Sequence, residues 1–415
     1  MQLAALNTFP GIVYSKRRMR QKTVLITGAT GFLGSYITRE LFEAGFHLKL
    51  LVRKTTTGAK ERFSEVFPAS YELKALLKRI EIIEGDISRN YLGLSAREYF
   101  KLAGTVDEVF HCAETTELRQ GEDDTLARIN VLGTALMSLF CITKRYKRLH
   151  YISTAYVAGK RRGVVLEDEL EKGQSFNNGY ERSKYEAERY LAVFLGQYRI
   201  PCTIYRPGII TGDTITGYTR KWENIYVFCR ELNRLNAHGM AKNRNPFLFP
   251  LRIPGDKYST VNLVPVDYAA RAIAAISMQA ESLNKTFHIV NPSPPTLGEL
   301  AVWLMVATGN HRIKVVPLHE FKMQPQTREE RLFARKMAIF QPYMFGEACF
   351  DSTNTRNLLS GTGIECPIIT DDLICKFNKY AIDTNWGKKG QIAKKIEKVD
   401  NGFEYFYTNL NTMII

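Results

Sequence analysis

The stretch Thr23-Val-Leu-Ile-Thr-Gly-Ala-Thr-Gly-Phe-Leu-Gly34 carries a short apolar strand straight into glycines at 28, 31 and 34 and then into a helix. Each glycine has its own steric task. Gly28 turns the chain off the strand, Gly31 lets backbone approach a pyrophosphate, and Gly34 lets helix and strand pack closely. The amides around the helix start, from Thr30 through Phe32, Leu33 and Gly34, are then aimed at an anion that the helix dipole favours. An ordinary glycine-rich turn shares the spacing but not the setting. Here Val24-Leu25-Ile26 reads as a buried strand, Tyr36 to Ala44 carries apolar residues at 37, 41 and 42, and Gly45 suits the position just past a helix.

The next strand, His47-Leu-Lys-Leu-Leu-Val-Arg53, ends about 20 residues after the last of these glycines, where an NAD-binding protein places Asp or Glu against the ribose. This chain has Arg53 and Lys54 there. A carboxylate would repel a 2′-phosphate, whereas a guanidinium pairs with it and stacks on adenine, so NADPH is the expected cofactor. A solvated basic strand end is the other reading of the same two residues.

Alternation of apolar bursts with helical segments extends the pattern: Ile80–Glu84, Val109–Cys112, Leu149–Ile152, Cys202–Tyr205 and Phe287–Val290. This rhythm predicts an α/β fold, a Rossmann doubly wound parallel sheet, with a smaller substrate-binding lobe. Ligands of such sheets gather at the carboxyl ends of strands. Asp86, Ala113, Thr154 and Pro207-Gly208 all fall there. Residues 214–262 break the rhythm with Tyr218, Trp222, Tyr226, Phe247 and Phe249 among basic residues. The expected division is therefore an N-terminal extension (1–21), a dinucleotide-binding domain (22–213 plus 263–290), and a substrate lobe with a C-terminal tail (214–262 plus 291–415).

A length of 415 residues with 45% hydrophobic and 24% charged residues allows a large core and rules out a disordered or fibrous chain. No unbroken apolar run reaches the ~18 residues of a membrane span. Ser15-Lys-Arg-Arg-Met-Arg20 follows rather than precedes the mildly apolar N-terminal stretch, unlike a secretory leader, so a cytoplasmic protein is expected. Seven scattered cysteines without a CxxC pair argue against a disulfide framework and against a metal site. The net charge of +15 admits acidic partners without choosing among them: nucleic acid, an acidic carrier protein, coenzyme A, or peripheral contact with an anionic membrane. No helix-turn-helix, zinc finger or aromatic-basic motif supports nucleic acid. The tail, basic over Lys388–Lys398 and then aromatic, reads as a packed or solvated helix or as a docking segment.

Tyr180-Glu-Arg-Ser-Lys184 sets a tyrosine and a lysine four apart, on one helix face, downstream of Thr154 at a strand end. Such a trio suits hydride chemistry. Lys184 can hold a nicotinamide ribose and lower the tyrosine pKa from about 10, Tyr180 can donate a proton, and Thr154 can orient the substrate oxygen. Cys112 sits at a strand end with no evident base, so a thiol nucleophile is not expected.

With these residues in place, the chain resembles the extended short-chain dehydrogenase/reductases, in particular the male-sterility-type branch of fatty acyl reductases and terminal thioester reductase domains. The resemblance covers about residues 22–310. Thr27–Gly34, Gly85-Asp86-Ile87, His111-Cys-Ala113, Asn130–Thr134, Tyr151–Val157, Tyr180-x-x-x-Lys184, Tyr205–Ile210 and Val264–Asp267 carry it. It implies that Thr154, Tyr180 and Lys184 are catalytic, that Asp86 and Ile87 flank the adenine, that Arg53 reads the 2′-phosphate, and that Pro207 and Gly208 border the nicotinamide. Glu114 departs from the pattern, since the family commonly has a small residue after His-Cys-Ala. The implied reaction is NADPH-dependent reduction of an acyl thioester, carrier- or CoA-bound, to an aldehyde or onward to an alcohol. Two alternatives keep the same cradle: a sugar-nucleotide epimerase/dehydratase or hydroxysteroid-type dehydrogenase, and a non-catalytic NADP-sensing regulator.

Overall fold

Val24, Leu25 and Ile26 have no solvent exposure because their strand lies inside a sheet covered by helices on both faces. The computed structural model describes residues 22–53, 67, 76, 78–116, 123–241, 251–309 and 312–387. Lys54, Phe247, Phe249, the N-terminal extension and the tail from 388 lie outside the described residues.

The strands in chain order are β1 (Thr23–Thr27), β2 (His47–Val52), β3 (Ile80–Glu84), β4 (Glu108–His111), β5 (Arg148–Ile152), β6 (Val164–Val165), β7 (Cys202–Pro207), β8 (Ile209–Thr211), β9 (Leu251–Pro254), β10 (Leu263–Pro265), β11 (Thr286–Ile289), β12 (Ile313–Val316) and β13 (Cys349–Phe350). Seven of them form an all-parallel sheet ordered β11-β7-β5-β4-β1-β2-β3. The chain winds outward both ways from β1 and β4, so a crevice opens at their carboxyl ends.

Helix α1 (Phe32–Glu43) packs one face together with the later helix Val266–Ser277, through Ile37, Leu41, Ala269, Ala270, Ile273 and Ile276. The other face is covered by α2 (Ala96–Thr105), α3 (Asp123–Ile142) and α4 (Gly179–Tyr198). A capping box between Ser95 and Glu98 starts α2, and the Asn178 side chain accepts the Glu181 amide to start α4. Helix α3 contains a π-type segment at Ala127–Leu132 and is long and apolar enough to cross a membrane, although the sequence has no unbroken apolar run of that length. Leu126, Met137, Phe140 and Cys141 on it are buried in the layer between sheet and solvent.

The lobe is built from α5 (Ile225–Ala241), β9 paired with β12, and four later helices: α7 (Leu297–Thr308), α8 (Leu318–Met323), α9 (Arg328–Met337) and, after an intervening segment, α11 (Asp371–Asp383). The helix Val266–Ser277 is α6. Between α9 and α11 the chain corrects one expectation. Not everything after 291 belongs to the lobe: α10 (Thr353–Leu359) lies against β11 and α6, and Leu359 and Ile364 join the core of the sheet domain. Glu167 is the reason. Its buried carboxylate accepts the amides of His288, Asn354 and Thr355 and the Thr355 hydroxyl, tying α10 to β11.

Helix α4 is fixed to the sheet by an ion pair with almost no solvent contact. Arg206 on β7 donates to Glu188 at 2.7 Å, with side chains 2% and 1% exposed. Its remaining N–H groups reach the Glu167 and Glu169 carbonyls. Removing one partner strands a buried charge, so Glu188→Ala is expected to cost about 3–5 kcal/mol of stability, read as a drop in the urea midpoint.

Candidate active site

Gly28 sits at φ +71, and a Cβ there would come within 2.6 Å of the Cys112 and Ala113 backbone. A Cβ on Gly34 would lie 2.2 Å from the Gly28 carbonyl oxygen. The cradle is thus closed by backbone contact, and only glycine fits. Helix α1 begins after Gly31 with no side-chain cap and no acidic residue in its first turn, leaving its N-terminal amides for an anion. These features fit a dinucleotide pyrophosphate.

Arg53 is exposed at the end of β2 beside Asp86. Burial works to raise the Asp86 carboxyl, but hydrogen bonds from the Ser88 amide and hydroxyl, with Arg53 and Arg89 nearby, hold it below the usual carboxylate range. One cleft of about 420 Å³ is lined by Gly28, Thr30, Gly31, Phe32, Leu33, Gly34, Arg53, Asp86, Ile87, Ala113, Thr154, Tyr180, Pro207 and Gly208. Of the expected residues that are described, Lys184 alone does not line it. It lies beneath, 2% exposed.

Strand β5 stops at Ile152, as the sequence suggests, and Thr154 just beyond it caps the short 3-10 helix Ala155–Ala158. Its hydroxyl lies beside Tyr180 and 3.4 Å from the Pro207 carbonyl. Lys184 donates to the Ile152 carbonyl at 2.7 Å and rests 4.4 Å from the Tyr151 ring centre.

The Lys184 charge does not leave the Tyr180 phenol below its ordinary value. Burial first, and then the charge of Glu114, push the Tyr180 phenol well above its ordinary value. Glu114 stands 3.0 Å from the Lys184 ammonium and 3.5 Å from the Tyr180 hydroxyl, so the lysine charge is already paired. Lys184 itself keeps its proton: burial opposes this, but Tyr151 and Glu114 hold it above the usual lysine range.

Past Thr154 and Tyr180 the cleft runs into the lobe between Phe228 on α5, Ile253 on β9, Leu300 and Leu304 on α7, Val315 on β12, and Phe340 and Met344. Tyr343 faces it too, but its hydroxyl is engaged, donating to Glu181 at 2.5 Å and accepting from Asn178 at 2.7 Å. Sequence reasoning missed Glu181, Tyr343 and Arg220, the last of which reaches from the lobe to the Thr30 carbonyl at 2.8 Å. For Glu181 its place next to Tyr180 was a usable signal; for Arg220, the basic content of 214–262.

Residues 26–273 match the NAD-binding family described as male sterility protein. The chain belongs to that family. A linear gramicidin synthase polypeptide of Brevibacillus parabrevis is 27% identical over 377 residues, covering 86% of this chain and 7% of that protein. A carboxylic acid reductase of Mycobacterium marinum is 28% identical over 306 residues, covering 68% of this chain and 26% of that protein. The chain therefore spans a small part of these curated relatives. Among solved structures, the terminal R domain from the myxalamid PKS-NRPS biosynthetic pathway matches with a TM-score of 0.74 at 27% identity, covering 89% of this chain and 92% of that one. UDP-glucuronic acid 4-epimerase from Bacillus cereus shares the fold alone, with a TM-score of 0.60 at 18% identity, covering 89% of this chain and 99% of that one. This male sterility-type domain is an NAD(P)-binding, Rossmann-type short-chain dehydrogenase/reductase.

Two residues after Thr154, Tyr156 donates to Glu347 at 2.7 Å. Burial pushes the Glu347 carboxyl up to about 7, with the Tyr156 bond working against it. A carboxyl raised on folding adds stability that is full below its unfolded value near ~4.5 and lost as pH rises through about 7. Glu347→Gln should remove that dependence: thermal midpoints of parent and variant should converge at acid pH relative to a gap favouring the variant near pH 8.

Proposed function

We propose that this domain reduces an acyl thioester to an aldehyde with NADPH. The observation that carries this reading is one continuous cleft, from the glycine cradle past Thr154 and Tyr180 into an apolar extension of the lobe. Bound NADPH supplies the hydride. Arg53 would pair with its 2′-phosphate, the α1 amides would hold its pyrophosphate, and Lys184, beneath the cleft wall and paired with Glu114, would reach up to the nicotinamide ribose. Phe228, Leu300, Leu304 and Phe340 receive the acyl group and exclude water from it.

Thr154 and Tyr180 bind the carbonyl oxygen. As hydride adds to carbon, negative charge grows on that oxygen, and Tyr180 supplies a proton to it. The resulting hemithioacetal loses its hydroxyl proton as the C–S bond breaks, giving aldehyde and free thiol. Sugar hydroxyls, by contrast, would face the apolar lining residues named above without partners.

The substrate is proposed to arrive on an acidic carrier protein. Similarity to the linear gramicidin synthase and to the R domain of a PKS-NRPS pathway supports this, as does the +15 net charge. Steering by such charge is screened by salt. The KM for an acyl-carrier substrate should rise clearly between low and about half-molar salt, while that for an acyl-pantetheine barely moves; equal salt dependence defeats the carrier reading.

Calorimetric titration should show NADPH at least about tenfold tighter than NADH, since a charge-assisted contact contributes about 1.5–3 kcal/mol. Arg53→Ala should erase most of that gap. With a panel of acyl thioesters, Tyr180→Phe should bind cofactor normally and lose most turnover, whereas Lys184→Ala should lose both. Parental rates in Tyr180→Phe, or no thioester turned over by the parent, would overturn the proposed reaction.

A further inference from the structure

We propose that Glu114 is a positioning residue for the Tyr180–Lys184 pair: it holds the Lys184 ammonium by an ion pair, and its own negative charge opposes formation of tyrosinate at Tyr180. The geometry has both halves. One carboxylate oxygen is 3.0 Å from Lys184 Nζ, and both are 3.5 Å from the Tyr180 hydroxyl. Glu114 is 24% exposed and lines the cleft, while Lys184 is 2% exposed. Without Glu114 that ammonium keeps the Ile152 carbonyl and Tyr151, its ring and its hydroxyl, neither of which carries a charge near neutrality.

The surroundings leave Glu114 as the anion set against Tyr180 among the described residues. From β5, Tyr151 is held above its usual pKa by burial, so it is a neutral phenol near neutrality and sets charge against Tyr180 only in the alkaline range. From β4, His111 is brought down to about 3 by burial and by Lys184, and the Cys112 thiol is pushed up by burial and Glu114, so neither is charged near neutrality. On α4 itself, Glu181 turns away to Tyr343 and Asn177. From the lobe, Lys221 is committed to the Thr116 hydroxyl at 2.5 Å. The Thr154 hydroxyl adds a bond to Tyr180 but no charge.

This arrangement bears on the pH range of turnover. Reduction needs a proton on Tyr180, whereas the reverse oxidation of an alcohol needs tyrosinate as the base. A lysine alone stabilises tyrosinate and serves both directions. With Glu114 paired to that lysine, Tyr180 stays a proton donor into alkaline pH, so Glu114 sets the upper pH limit over which reduction runs. That consequence rests on the reductase reading; the electrostatic claim does not.

The test separates the two. Tyrosinate absorbance is titrated with pH in cofactor-free parent, Glu114→Gln and Glu114→Asp, each with its own Tyr180→Phe background subtracted. Glu114→Gln keeps the shape and an acceptor for Lys184 while removing the charge. Tyr180 should ionise lower by about one pH unit or more in Glu114→Gln, and Glu114→Asp should return towards the parent. A Tyr180 signal at the same pH in parent and Glu114→Gln, or absent from both, overturns the proposal. In turnover, the alkaline limb of the reduction profile should shift down by the same amount in Glu114→Gln, a rate loss of about tenfold per unit. If the parent reduces no thioester or aldehyde, the reductase reading fails while the titration still decides the role of Glu114.

Discussion

Backbone touching backbone at the carboxyl end of β1 is the constraint on which the rest of the site depends. Gly28 has no room for a Cβ against Cys112 and Ala113, and Gly34 none against Gly28, so β1, α1 and β4 meet at van der Waals distance. That contact sets the crevice where the sheet order reverses. It also fixes where the loop after β4 leaves the sheet, and hence where Glu114 stands.

Helix α4 links this constraint to chemistry. Tyr180, Lys184 and Glu188 follow one another at intervals of four, forming one stripe facing the sheet. Glu188 holds Arg206 on β7, Lys184 holds the Ile152 carbonyl on β5, and Tyr180 reaches the cleft. A buried ion pair is an indifferent source of stability. Here its geometric effect matters more: it fixes the helix that carries Tyr180 to the cleft. The lobe is tied to the same region by two tyrosine–carboxyl bonds, Tyr343 to Glu181 and Tyr156 to Glu347. The segment around Thr154 and the lobe wall of the cleft are thereby held as one unit.

Much was legible from the chain alone because the signals were local. The glycine spacing, the buried parallel strands and the Tyr-x-x-x-Lys pair each depend on neighbours within a few turns, so the sheet, its strand ends and the placing of Thr154 and Tyr180 at the cleft could be read directly. The assignment of the last third was less legible, since α10 returns to the sheet through hydrogen bonds to Glu167, nearly two hundred residues away.

What only the tertiary structure decided is electrostatic. Lys184 and Tyr180 are neighbours by helical periodicity, and on that basis the lysine should ease ionisation of the tyrosine. Glu114, from a loop sixty-six residues upstream, enters between them and takes up the lysine charge, while burial removes the water that would otherwise screen it. Periodicity places side chains on a face. The charge that a face experiences comes from whatever the fold packs against it, and no local spacing records that.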